Sequence, residues 1–148
     1  MKRFLQIGAL SLVSVLAPLA ANADVPGAHP AYLHSISYLR AARWLIEHRP
    51  GNWHRTEDEA AAVRQIDEAI HDMKEASIDD GKNLADHPPV DERADQPGRL
   101  HEAIDYLRKA RADVSREEDN AYANGLRARS IGHIDGAIRS VKHAVHDE

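Results

Sequence analysis

The sequence predicts an all-α chain: a four-helix bundle made of two tandem helical hairpins. The segment Ile66-Asp67-x-Ala69-Ile70-x-x-Met73-Lys74-x-Ala76 returns 68 residues later as Ile134-Asp135-x-Ala137-Ile138-x-x-Val141-Lys142-x-Ala144. At the same offset, Ile36-x-Tyr38-Leu39-Arg40-x-Ala42-Arg43 returns as Ile104-x-Tyr106-Leu107-Arg108-x-Ala110-Arg111. No stretch alternates apolar and polar residues with the period of a strand. Two segments repeated at one offset without a gap read as a tandem duplication. A single amphipathic hairpin cannot bury its apolar face alone, so the copies should pack on each other.

Helix 1 should begin at Pro30, a residue suited to a first turn, and end before Pro50-Gly51. Its seam reads Tyr32, Ile36, Leu39, Arg43, Ile46, in alternating steps of four and three. Helix 2 opens on Thr56-x-x-Glu59, a capping-box pattern, and runs to Asp80 before Gly81. Val63, Ile66, Ile70, Met73 and Ser77 form its seam, flanked by Ala62, Ala69 and Ala76. Helix 3 covers 98–118, with Leu100, Ile104, Leu107, Arg111 and Val114 as its seam. Helix 4 starts between Asn120 and Asn124 and carries Ile131, Ile134, Ile138, Val141 and Val145.

Short turns make the helices of each hairpin antiparallel. The linker 81–97, GKNLADHPPVDERADQP, is polar, carries Pro88-Pro89 and Pro97, and is longer than antiparallel neighbours need. The expected arrangement is a cap over one end with up-down-up-down order, because rotation about the bundle axis then relates the copies. A linker crossing the bundle is the alternative. The chain then divides into a leader (1–23) and a bundle (24–148), the latter holding hairpin one (30–80), the linker and hairpin two (98–148).

The leader reads as a secretory signal peptide. Lys2 and Arg3 precede an apolar run from Phe4 to Leu19, and Ala21-Asn22-Ala23 offers a small-x-small cleavage site. Ser11, Ser14 and Pro18 interrupt that run, which is short for a span, and no later segment is apolar enough to cross a bilayer. A periplasmic or secreted protein without a membrane span follows. Removing the leader takes two basic and no acidic residues, so the net charge of −5 becomes −7. That balance speaks against nucleic acid or an anionic membrane as partner. With no cysteine, stability must come from helix packing, with or without a ligand.

Arg43 and Arg111 fall where the seams expect aliphatic residues, and Asp67 and Asp135 lie beside the seams of helices 2 and 4. Buried guanidinium groups need partners, so Arg–Asp bridges are the expected structural ion pairs. A carboxylate–arginine pocket is the competing reading.

The chain holds ten histidines. In up-down-up-down order one end collects His29, His34, His87, His101, His143 and His146 together with Asp147, whereas His48 and His54 fall at the other. Imidazole with carboxylate suits zinc, copper or nickel. These seven residues form the candidate metal site, weighed against histidines that merely complement the dipole at a helix C-terminus. Glu68-x-x-His71 is half of a di-iron signature, but copy two has Gly136 and Arg139 there. No nucleophile elbow, phosphate loop or triad-like set is visible, so no enzyme is expected. The leading expectation is an exported, non-enzymatic binding protein for a metal ion or small ligand. An acid-responsive interaction or stress-protective bundle is the alternative.

The stretch Ser77-Ile78-Asp79-Asp80-Gly81-Lys82-Asn83-Leu84-x-Asp86-His87-Pro88-Pro89-Val90-Asp91 resembles a segment of small exported bacterial proteins of unknown function. His29-Pro30-x-Tyr32-Leu33-His34 and Arg40-Ala41-Ala42-Arg43-Trp44-Leu45 look similar to theirs as well. The likeness implies a signal peptide followed by a helical bundle, and no activity.

Overall fold

The computed structural model describes residues 30–48, 54–76, 87–116 and 121–146. They form four helices, α1 (Pro30–Glu47), α2 (Glu57–Ala76), α3 (Gln96–Arg116) and α4 (Ala121–His146). Among the described residues there is no strand. The expected leader lies outside them. The capping box forms reciprocally: the Thr56 amide donates to Glu59 Oε2 at 2.7 Å and the Glu59 amide to Thr56 Oγ1 at 3.2 Å. Asp95 caps α3 by accepting from the Gly98 amide at 2.9 Å, which moves its start from the expected Gly98 to Gln96.

The helices pair across the hairpins more extensively than within them. α2 packs chiefly on α4 and α1 on α3, and α1–α4 and α2–α3 are the diagonals. Ser35, near the start of α1, donates to the Ala110 carbonyl near the end of α3 at 3.0 Å. Arg99, at the start of α3, donates to the Leu45 carbonyl near the end of α1 at 3.3 Å. α1 and α3 are therefore antiparallel. The same holds for α2 and α4, where Asp72 meets Arg129 and Gln65 meets His133. Up-down-up-down order is thus corrected to up-down-down-up.

Residues 68 positions apart meet across these pairs. Tyr38 stacks on Tyr106 with centroids 5.9 Å apart, and Gln65 bonds His133; both pairs are 68 positions apart. With α1 antiparallel to α3 and α2 to α4, α2 finishes at one end of the bundle and α3 begins at the other. The linker consequently leads from one end of the bundle to the other. Its described part is pinned along α1 and α3: Val90 packs on the core and Tyr106 Oη donates to the Pro89 carbonyl at 2.9 Å. Burial, with Glu102 and Tyr38 nearby, raises the Tyr106 hydroxyl above its ordinary pKa.

Alanine sets the closeness of the pairing. Ala62 and Ala69 of α2 are buried in one core with the stripe Ile134, Ala137, Val141, Ala144 of α4. The expected α4 seam is therefore rotated: Ile131, Ile138 and Val145 only flank the core. On α1 and α3, Ala42 and Ala110 are fully buried, and the neighbouring arginines are displaced outward. Arg43 and Arg111 side chains are 41% and 44% exposed, which corrects their placement in the seam. Arg111 donates to both Asp135 oxygens, at 2.7 and 3.3 Å. Arg43 Nε lies 2.9 Å from Asp67 Oδ1, but its N–H is not aligned as a hydrogen bond.

The two bridges also differ electrostatically. The bond to Asp135 raises the Arg111 pKa, favouring its charged form. Burial raises the Asp67 carboxyl above its ordinary value, with Glu47 and Glu68 adding and Arg43 opposing. A carboxylate with a raised folded pKa gains relative stability as pH falls through that value. Ionised Asp67 is thus a small cost at neutral pH.

Candidate functional site

Antiparallel pairing decides which histidines share an end. α1 and α4 finish where α2 and α3 begin, and there Gln96 Nε2 lies 3.4 Å from Glu59 Oε1. That end carries His48, His54, His87, His101, His143 and His146. His34, on the first turns of α1, stands at the opposite end, so it is removed from the expected set. His48 and His54 replace it. His29 and Asp147 lie outside the described residues.

Three of these imidazoles are held by backbone carbonyls. His48 Nδ1 lies 3.1 Å from the Trp44 oxygen, His87 Nδ1 2.8 Å from that of Pro88, and His101 Nδ1 2.6 Å from that of Pro97. A carbonyl only accepts, so each Nδ1 carries the proton and each neutral ring leaves Nε2 free to act. Among the described residues, however, no three His, Asp or Glu side chains converge closely enough to hold one ion. Helix geometry explains the dispersal. His143 and His146 stand about 60° apart around α4, and they line different grooves.

The first groove lies between α3 and α4 and has a volume of about 460 Å³. Ile104 and Val145 give it apolar surface, while His101, Arg108, Lys142 and His146 line it with nitrogen donors. Asp105 is also present but is paired with Arg108 at 3.0 Å. The cationic excess therefore resides on Lys142, which has no ion-pair partner among the described residues, and on the imidazoles when protonated. A small anion with an apolar portion suits this lining.

Two polar clusters were not anticipated. Trp44 is flanked by His48 at 4.4 Å, His87 at 5.8 Å and the Arg99 guanidinium at 5.4 Å. Arg99 is only 4% exposed and also reaches the Glu92 carbonyl at 3.4 Å, so it fastens the linker to α1 and α3. Across α2 and α4, Asp72 is 5% exposed and accepts from Arg129 at 2.6 and 3.3 Å. His133 Nε2 lies 3.8 Å from the same carboxylate, and its Nδ1 donates to Gln65 Oε1 at 2.8 Å. One signal of Asp72 was in the sequence. It stands three residues after Ala69 and four before Ala76, on the apolar stripe. Arg129 and His133 gave none, because neither is repeated at the 68-residue offset.

No helix among the described residues is long and apolar enough to cross a membrane. No protein family, curated protein or solved structure matches the chain.

Proposed function

We propose that this chain is an exported, non-enzymatic binding protein whose ligand is a small anion held in the α3/α4 groove. The observation that carries the reading is the groove lining: Lys142, His101 and His146 beside the apolar side chains of Ile104 and Val145. The basic start, apolar run and Ala21-Asn22-Ala23 of the leader support export. Zinc, copper or nickel is the competing ligand. His101 and His146 offer two imidazoles, and a third donor would have to be Asp105, released from Arg108, or a residue outside those described. We also read the bundle as two copies of one duplicated hairpin, which the 68-residue offset supports. An experimental structure in which 30–76 fails to superpose on 98–144 would remove that reading.

Calorimetry and thermal melting of the untagged mature protein test the groove, with inorganic phosphate, octanoate, zinc, copper and nickel offered separately. Anion binding restricted to the folded state should stabilise it by about 2.7 kcal/mol at a hundredfold excess over Kd. Lys142→Gln with His146→Gln should remove the effect without lowering the melting temperature of the free protein, since both side chains are exposed. Stabilisation by a metal but by neither anion would return the metal reading to first place.

A second reading is favoured by six of the nine described histidines sharing one end of the bundle. Full protonation of all ten would carry the mature charge from −7 to +3. With neither anion nor metal bound, this acid-responsive reading would lead. It requires a change in sedimentation between about pH 7 and 5.

A further inference from the structure

A second groove runs along the other side of α4, against α2, with a volume of about 350 Å³. It is built from opposite charges on facing walls. Asp58 and Ala61 line it from α2, and Arg139, Ser140 and His143 from α4. Gln65 and Gly136 close it towards the middle of the bundle. Among the described residues, neither Asp58 nor Arg139 makes an ion pair, although both line this groove. Ser140, His143 and Asp58 are not hydrogen-bonded to one another, so they form no nucleophile relay. The groove is arranged to bind.

Its inner end is held by the buried cluster described above. Arg129 clamps Asp72, His133 stands between Asp72 and Gln65, and Gln65 Oε1 is committed to His133. The amide NH₂ of Gln65 is then the group left to donate to an occupant. Gly136 gives that amide its seat: a Cβ there would meet Gln65 Oε1 at 3.1 Å and Cδ at 3.3 Å.

We propose that this groove binds a free α-amino acid. Asp58 takes the ammonium at the outer end. Arg139, with its planar fork, takes the carboxylate at the inner end, helped by Ser140 and the Gln65 NH₂. A carboxylate on one wall and a guanidinium on the other, unpaired with each other, match a zwitterion better than an ion of either sign alone. A simple anion would meet Asp58, and a simple cation would meet Arg139.

The test is calorimetric titration of the intact mature protein with glycine, alanine, serine and glutamate at neutral pH. N-acetylalanine, which lacks the ammonium, and alaninamide, which lacks the carboxylate, serve as controls. At least one free amino acid should bind, and both blocked forms should bind about tenfold or more weakly. Arg139→Gln and Asp58→Asn should each weaken binding by a similar factor while leaving the melting temperature of the free protein unchanged. Gly136→Ala should weaken it by displacing Gln65. Lys142→Gln with His146→Gln, in the other groove, should leave it intact, so the two sites fail or stand separately. No binding by any of the four amino acids would overturn the proposal, as would equal binding of the blocked forms or indifference to Arg139→Gln.

Discussion

Truncation of Leu107 to alanine is expected to cost about 2–5 kcal/mol, and Ile66→Ala and Ile134→Ala about as much. All three side chains are fully buried. They lie where a helix of one hairpin meets a helix of the other, so none of the surrounding backbone can collapse into the space without parting the halves. The native state of such a domain is about 5–15 kcal/mol more stable than its unfolded chain, so one truncation should remove a large share of that margin. Arg43→Ala and Arg111→Ala are expected to cost less than about 1 kcal/mol, because exposed pairs are screened and solvated in either state. Urea unfolding of the five variants measures the contrast. A loss of several kcal/mol for either arginine would return its guanidinium to the core, where the heptad seam first placed it, and the outward displacement described above would be wrong.

The helices were legible in the sequence because local chemistry decides them. Thr56 and Glu59 form the expected box, and Tyr32, Leu39, Ile66 and Leu107 are buried as their spacing requires. The order of the helices was not legible. Both arrangements can bury the apolar faces, and the choice between them rests on the long-range pairing of α1 with α3, where Tyr38 meets Tyr106. No local pattern encodes that meeting. The error then spread to the histidines: reversing hairpin two exchanged His34 for His48 and His54 at the crowded end. Separately, Arg43 and Arg111 stand one position away from the core, where Ala42 and Ala110 are fully buried. Asp72 was readable as a carboxylate on an apolar stripe. Its partners come from a helix 57 residues away in the chain and could be found only in the fold.

That carboxylate supports the second large effect. Arg129→Ala is expected to destabilise the protein by about 2–4 kcal/mol, somewhat under the figure for a fully buried pair, since the arginine itself is 59% exposed. The loss comes from what remains: a carboxylate 5% exposed, without its guanidinium and with the His133 imidazole 3.8 Å away. Asp72→Asn removes the stranded charge while keeping its shape. Adding it to Arg129→Ala should therefore restore more than half of the lost stability, a coupling that a double-mutant cycle measures directly. A cycle in which the two substitutions simply add would show that the guanidinium and the carboxylate are not coupled. Asp72 would then tolerate burial by some other means, and the cluster would lose its claim to position Gln65 at the inner end of the α2/α4 groove.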